Sequence, residues 1–468
     1  MKELTRDLLV LGGGPGGYTA AFRAADLGRE VTLIERYPTL GGVCLNVGCI
    51  PSKTLLHLAE VIEDASKTSS LGVSFGEPTI DLEKIKDHKE SVVGKLTAGL
   101  DALCKARKVE RIVGTGTFKS ENQLLVKTED EEQLITFTDI IISVGSRPVE
   151  LPGIPYEDER VWDSTDALAL SQIPKSMAII GGGIIGLEMA SIYHALGTKI
   201  TIIEMMDAII PPADRDLKQP LIRKIKSQYE AIYTATKVVK VEATKKSLKL
   251  QLEGKDAPSD IEADVVLVAV GRKANSDLIG IENTSIKTND KKWIIADKKQ
   301  RTNVSNIYAI GDVTGDPMLA HRATHQGKVA AEVACGLPSA FTPMGIPSVA
   351  YTQPEIAWVG LTETEAKAQK IDYKKGSFPW MANARALSAI SPEGVSKALF
   401  DSKTNRLIGA GITGRNAGEL ISEAVLALEM GTITEDITLS IHPHPTLSET
   451  FAVAVELAEG TATDTLNR

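Results

Sequence analysis

The chain has 468 residues, 43% hydrophobic and 24% charged, which is ordinary soluble globular composition with room for about three domains. A net charge of −9, spread along the chain rather than run in a block, argues against nucleic acid as a principal partner. Four cysteines exclude a disulfide-stapled scaffold and fit a reducing, cytoplasmic setting. The only apolar run near the amino terminus, Leu8–Leu11, is too short for a signal peptide or a membrane span.

That run reads as a buried parallel strand. Gly12-Gly13-Gly14-Pro15-Gly16-Gly17 follows, then a helical pattern over Tyr18–Leu27, then a strand over Val31–Ile34 ending at Glu35. Strand, Gly12-x-Gly14-x-x-Gly17, helix, strand and acid are the parts of a dinucleotide-binding unit in order. The glycines allow a tight turn and close approach of backbone to a pyrophosphate. The helix N-terminus takes phosphate charge, and Glu35 can accept from a ribose hydroxyl.

Cys44 and Cys49 come next, in Gly41-Gly42-Val43-Cys44-Leu45-Asn46-Val47-Gly48-Cys49-Ile50-Pro51-Ser52-Lys53. Pro51 suits a first helical turn, and Leu55, Leu56, Leu58, Ala59 and Ile62 supply an apolar face. Residues five apart on a regular helix have Cα atoms ~8–9 Å from each other, beyond the roughly 7 Å reach of a disulfide. A bridge therefore requires Cys44 on a bent lead-in, which Gly41, Gly42 and Gly48 permit, with Cys49 near the helix N-terminus where a thiolate is favoured. The spacing alone is as compatible with two buried structural cysteines. A zinc half-site fits worse, since Cys104 and Cys335 make no second pair, and no metal is expected.

Asp81–Arg107 is a charged amphipathic helix, followed by strands around Ile112–Phe118, Leu124–Lys127 and Leu134–Ser143, a turn at Val144–Pro148, and a linker at Leu151–Pro155. The dinucleotide pattern then recurs: strand Met177–Ile180, Gly181-x-Gly183-x-x-Gly186, helix Leu187–Leu196, strand Ile200–Ile203, and Glu204. In both copies the acid lies 18 residues after the third glycine, Gly17 to Glu35 and Gly186 to Glu204. Two such modules imply two dinucleotides. Asp264–Val270 and Asn306–Ile310 are further buried strands; the second runs into Gly311-Asp312, where Asp312 is either a turn residue or an acceptor for a cofactor's polyol.

From about Ile346 the character changes to an α+β layer without a glycine fingerprint. Strands are expected at Val349–Tyr351, Ile356–Gly360, Lys397–Asp401 and Ile408–Thr413, and helices at Thr362–Gln369, Ala417–Met430 and Thr450–Glu459. Two of the seven histidines lie before the last helix, in His442-Pro443-His444-Pro445-Thr446-Leu447-Ser448-Glu449. Glu449 is placed to orient His444 as a general base, although a plain surface turn reads the same way.

Together these motifs resemble those of the class I pyridine nucleotide-disulfide oxidoreductases, over nearly the whole chain. The resemblance implies an α/β fold with two Rossmann-like dinucleotide-binding domains plus a C-terminal α+β dimerisation domain. Its boundaries would be 1–149 and 273–345 for the FAD-binding parts, 150–272 for NAD and 346–468 for the interface. It implies FAD held by Gly12, Gly14, Gly17, Glu35, Lys53, Gly116, Gly145, Asp312 and Ala320, and NAD held by Gly181, Gly183, Gly186, Glu204 and Gly271. Cys49 would face the flavin and Cys44 exchange with substrate. Lys53 would pair with Glu188, and His444, held by Glu449, would act from the partner subunit of a homodimer. His321 matches a structural position near the cofactor.

The pattern is most similar to family members that oxidise dihydrolipoyl groups on lipoyl domains of the acyltransferase subunits of 2-oxoacid dehydrogenase complexes, or of the glycine-cleavage system. The alternative is a glutathione- or mercury-type reductase using NAD(P)H, which would want positive charge where Glu204 is followed by Met205-Met206-Asp207. Departures are Gly13 and Gly182 where alanine is common, Pro443 between the histidines, and Gln326 where related chains often have an acid.

Overall fold

The computed structural model describes residues 2–467, and the chain forms two compact units. The first unites the segment through Thr54 with Asp81–Val149 and Gly271–Thr342; the second unites Leu55–Ile80, Glu150–Val270 and the segment from Pro343 onward.

The first unit is built on the strand Lys2–Leu11. It begins at Lys2 rather than at Leu8, because Lys2–Arg6 pairs in parallel with Gln133–Phe137 despite lacking an apolar pattern. Side chains alternate across a strand, and here both faces are covered. Leu8 and Val10 pack with Ala20, Ala21 and Phe22 of the helix Pro15–Asp26 and with Ala330 and Ala331 of the helix Ala320–Ala334. Leu9 and Leu11 pack on the other side with Phe118, Leu124, Val126 and Ile135. Each such buried aliphatic side chain contributes roughly 1.5–3 kcal/mol, which is why four apolar residues in a row suffice to fix the strand.

Glu110–Val113, Val31–Glu35, Lys2–Leu11 and Glu132–Ile142 lie side by side and parallel in one sheet. Ile307–Ala309 pairs in parallel with Ile140–Ile142, while Gln123–Lys127 and Thr115–Ser120 continue the sheet antiparallel from the other half of Glu132–Ile142. The β-rich stretch expected around Ile112–Phe118 is two strands, Glu110–Val113 and Thr115–Ser120, separated at Gly114, where a Cβ would lie 2.7 Å from the carbonyl of Lys127.

The second unit holds a parallel sheet in the order Ala231–Tyr233, Lys199–Ile203, Ser176–Ile180, Val265–Val268, Val161–Trp162. Beside it is a three-stranded antiparallel sheet over residues 236–263 that the sequence pattern left unread. The carboxyl-terminal layer is an antiparallel sheet in the order Ser348–Ala350, Glu355–Gly360, Leu407–Gly414, Val395–Asp401, Tyr373–Pro379. The helices Ala417–Met430 and Glu449–Glu459 cover it, burying Ile421, Leu428, Phe451 and Val455 against Phe400 and Ile412.

Lys397, 2% exposed, donates to Asp214 and Asp216 at 2.7 Å and to Glu363 at 3.1 Å. The three carboxylates lie close enough to hold a metal ion, but the lysine ammonium stands among them and supplies the cation. It fastens the strand Val395–Asp401 to the starts of the helices Arg215–Gln228 and Glu363–Ala368.

Candidate active site

In the first unit, Gly12 has φ +104°, and its Cβ would collide with the backbone carbonyl of Ser143. A Cβ on Gly17 would collide with the carbonyl of Gly12, so helix and turn pack backbone to backbone as the fingerprint requires. Gly14 is the N-cap of the helix Pro15–Asp26, with no side-chain cap on the free amides. A Cβ there would meet only the Cα of Gly42, at 3.9 Å. The space a side chain would enter is the space a pyrophosphate needs. Glu35, 6% exposed, accepts from the Gly13 N–H at 2.6 Å and from the Tyr37 N–H at 3.1 Å.

The second unit repeats this arrangement. Gly181 has φ +114°, Gly183 caps the helix Ile184–Ala195 without a side-chain bond, and nothing lies within 4 Å of a Cβ placed on it. Glu204, 8% exposed, accepts from the Gly182 N–H at 2.6 Å and the Met206 N–H at 2.7 Å. A Cβ on Gly13 would lie 2.8 Å from Leu40 Cδ2 and 3.1 Å from Glu35 Oε2, and one on Gly182 2.9 Å from Ile209 Cγ2 and 3.3 Å from Glu204 Oε2, so both positions are tight. Both cradles fit a dinucleotide.

Around the first cradle, Asp312 lies in the turn Gly311–Thr314 and accepts from the Ser146 hydroxyl at 2.6 Å. Gln326, 4% exposed, accepts from the Gly311 N–H at 2.8 Å, a task an amide oxygen performs as well as an acid. Gly145, at φ +66°, has open space where a Cβ would be. Gly116 serves packing, since a Cβ there would lie 2.7 Å from Leu11 and 2.9 Å from Leu124. Ala320 begins the helix Ala320–Ala334. Gly271 has φ +131°, and a Cβ there would likewise enter open space.

Cys44 sits on a lead-in that is bent relative to the Cys49 helix and is itself helical. It lies in a short helix, Gly42–Val47, and the bend falls at Gly48, after which Cys49 opens the helix Cys49–Lys67. Two helical segments meeting at an angle bring together thiols that one straight helix would separate. A hydrogen bond to Cys49, burial, and the charge of Cys49 push the Cys44 thiol well above its ordinary range, with Lys53 opposing. Cys44 therefore holds its proton tightly. Lys53 lies one turn into the same helix.

In the second unit Glu188 is 4% exposed and accepts from the Tyr351 N–H at 3.1 Å. The two carboxyl-terminal histidines differ sharply. His442 is held at both nitrogens, by Ser440 O at 2.9 Å and Glu423 at 2.7 Å, and its side chain is 12% exposed. His444 Nδ1 meets Glu449 Oε1 at 2.8 Å, while the side chain is 75% exposed. The second Glu449 oxygen accepts from the Thr446 N–H at 2.6 Å, so the carboxylate is locked and orients the imidazole. His442 is enclosed and held at both nitrogens, whereas His444 is oriented by Glu449 and faces outward. The sequence suggested the pair with Glu449 but gave no sign of the Glu423 partner, 19 residues from His442.

A thiol pair in the unit that carries one dinucleotide cradle, with a second cradle elsewhere in the chain, defines a disulfide oxidoreductase of two dinucleotides. Residues 6–327 match the family described as pyridine nucleotide-disulphide oxidoreductase, and residues 346–455 match its dimerisation domain. The chain belongs to that family. It is 50% identical over 468 residues to the dihydrolipoyl dehydrogenase of Vibrio parahaemolyticus, spanning 100% of this chain and 98% of that one. It is 43% identical to the protein of the same name from Bacillus subtilis, over 97% of this chain and 96% of that one. Among solved structures, the HOCl-induced flavoprotein disulfide reductase RclA from Escherichia coli matches with TM-score 0.85 and 26% identity, covering 96% of this chain and 99% of that one. Among the described residues no helix is long and apolar enough to cross a membrane.

Proposed function

We propose that the chain catalyses NAD-dependent oxidation of dihydrolipoyl groups, and that the Cys44–Cys49 pair, brought together where two helical segments meet at Gly48, carries the reaction. It is an oxidoreductase of the FAD- and NAD-using disulfide family, with a dimerisation domain at residues 346–455. The substrate dithiol attacks the oxidised cysteine pair, forming a mixed disulfide at Cys44; the second substrate thiol displaces Cys44, leaving a cyclic lipoyl disulfide and the reduced pair. FAD, held at the first cradle, would supply the two-electron transfer from the reduced cysteine pair to NAD+, with Cys49 as the flavin-side thiol. Because thiolates are the nucleophiles, each exchange needs a base, and the strong hold on the Cys44 proton makes that need acute. His444, oriented by Glu449, is our candidate, delivered from the partner of a homodimer.

Gly12, Gly14, Gly17, Glu35, Lys53, Gly145, Asp312 and Ala320 would hold FAD, with Gly116 behind them. Gly181, Gly183, Gly186, Glu204 and Gly271 would hold NAD, and Lys53 with Glu188 would form a charge pair at the flavin. On this reading residues 1–149 and 273–345 form the FAD domain, 150–272 the NAD domain and 346–468 the interface. The lipoyl group would arrive on lipoyl domains of an acyltransferase subunit of a 2-oxoacid dehydrogenase or glycine-cleavage complex, in the cytoplasm.

The test is direct. Purified protein should carry flavin colour, and two-electron reduction should give a long-wavelength thiolate–flavin band. Cys49→Ser should abolish lipoamide-dependent NAD+ reduction while flavin stays bound. Full turnover in Cys49→Ser would refute the assignment of the pair.

A further inference from the structure

Arg272, Ser146 and Asp312 form a chain of hydrogen bonds whose direction is forced. Arg272 Nε donates to Ser146 Oγ at 2.7 Å, and Ser146 Oγ meets Asp312 Oδ2 at 2.6 Å. A guanidinium can only donate, and a hydroxyl has one proton and two lone pairs. With a lone pair taken by Arg272, the hydroxyl proton must point at Asp312. Arg272 Nη2 also donates to the Ser146 carbonyl at 2.8 Å, so the guanidinium grips Ser146 at two points and cannot rotate away. Ser146 is 2% exposed, so no water competes for its hydroxyl. The N–H of Gly311, the neighbour of Asp312 in the chain, donates to Gln326 Oε1 at 2.8 Å. Asp312 is thus held through its neighbour and through its own carboxylate.

Ser146–Pro148 and Arg272–Ala274 are paired antiparallel, with Arg272 opposite Pro148 and Ala274 opposite Ser146. Val149 N–H donates to the Gly271 carbonyl at 3.1 Å, and Asn275 Nδ2 donates to the Val144 carbonyl at 2.9 Å. Arg147 adds a two-pronged pair to Asp277, at 2.8 and 2.7 Å. The chain leaves the first unit after Val149 and re-enters it at Gly271. The ribbon that carries Ser146 and Arg272 is therefore fastened at many points, more than a short two-stranded ribbon keeps by itself.

We infer that Ser146 and Arg272 are positioning residues for the flavin: Arg272 orients the Ser146 hydroxyl, which fixes the rotation of the Asp312 carboxylate so that it meets a polyol hydroxyl of FAD without reorganising. This rests on FAD as the cofactor of the first cradle. A carboxylate held by a charge-assisted relay keeps a single acceptor geometry; one that swings pays for its ordering each time the cofactor binds.

The experiment measures flavin release from the full-length holoenzyme by recovery of flavin fluorescence. Ser146→Ala should release FAD about tenfold faster, the scale of one lost buried hydrogen bond to a charged group. In an Asp312→Asn background the same Ser146→Ala change should make no further difference, because the relay acts only through Asp312. A purely structural role for Ser146 would persist in that background, so a persisting effect overturns the inference, as does release from Ser146→Ala at the parent rate. Should Ser146→Ala not fold, Arg272→Lys keeps the charge but not the two-point grip, and it should also release FAD faster; an unchanged rate overturns the relay. A parent protein without bound flavin would instead defeat the functional reading on which the relay stands.

Discussion

Gly48 and Cys44 stand in contact: a Cβ on Gly48 would lie 3.2 Å from the Cα of Cys44 and 2.8 Å from the carbonyl of Val43. Both neighbours are backbone, so neither can give way by rotating a side chain. The residue that bends the two helical segments is therefore also the one against which Cys44 is seated. Gly48→Ala should push Cys44 out of register with Cys49. Displacements of about an ångström at reacting atoms cost on the order of 10²-fold in rate. Stopped-flow reduction by dihydrolipoamide should slow by that order, with flavin content unchanged. A normal rate in the alanine variant would show that the seat is not needed.

Glu204 should set cofactor choice. Its two oxygens are tied to Gly182 and Met206, so the carboxylate cannot turn aside from an incoming 2′-phosphate. Like charges about 4 Å apart cost roughly 1–4 kcal/mol at effective dielectrics of 20–80, or about fivefold to a thousandfold in specificity. Comparing kcat/KM for NAD+ and NADP+ should show a preference within that range, and Glu204→Gln should narrow it. Equal values in the parent enzyme would contradict the charge argument.

Much of this site was legible because its physics is local. The two fingerprints, their strands and acids follow from glycine geometry and apolar runs, and the structure places Gly12–Glu35 and Gly181–Glu204 on the expected turns. The amphipathic helix read over Asp81–Arg107 is Leu82–Ala106, with Asp81 as its cap, and Ala417–Met430 is the helix the pattern drew. Other helices start earlier than their apolar residues: Pro15–Asp26 begins at a proline and glycines, which carry no periodicity.

What stayed hidden depends on distant partners. The strand Lys2–Leu11 extends over charged residues because another strand pairs with them. The strand Tyr373–Pro379 carries Lys374, Lys375 and Gly376 and went unread; Gly376 is there because a Cβ would collide with the Ala454 carbonyl of the covering helix. The helix Arg215–Gln228 contains Pro220, ordinarily a breaker. Ser146 finds Arg272 and Asp312 at separations of 126 and 166 residues, which no local pattern reports.

Stability should depend on pH through Glu355. Its Oε2 accepts from the Gly418 N–H at 2.8 Å. Burial, reinforced by the charges of Glu60, Glu419 and Glu188 against the Gly418 bond, pushes its carboxyl up to about 7 from an ordinary 4.5. Arg415 is the cation facing this group, and it is already tied to Asp64 at 2.7 Å and Glu60 at 3.2 Å. Between pH 4.5 and 7 the folded chain binds a proton that the unfolded chain has lost, so the contribution is complete below 4.5 and vanishes as pH rises through 7. The apparent Tm of Glu355→Gln, which keeps an acceptor for Gly418 and carries no charge, should fall less across that window and exceed the parent's above it. Parallel Tm curves for the two proteins would remove Glu355 as the cause.

The exposure of His444 is the strongest pointer to a shared site. Its side chain is 75% exposed within one chain although Glu449 holds it in a fixed orientation, and His442, 12% exposed, shows that an imidazole in this loop can be enclosed when its role is structural. An oriented imidazole facing outward on a dimerisation domain would be placed to serve a partner. His444→Gln should slow thiol exchange on the order of 10²–10⁴-fold, the range for loss of a general base. Glu449→Gln should cost less, since it orients the ring and transfers no proton. Mixing Cys44→Ser with His444→Gln protein and allowing subunits to exchange gives mixed dimers as about half the population. Each mixed dimer combines one intact Cys44 with the partner's intact His444, so activity should recover to about a quarter of the parent's. No recovery, with exchange confirmed by a size or charge tag, would place base and thiols in the same chain and end the shared-site mechanism.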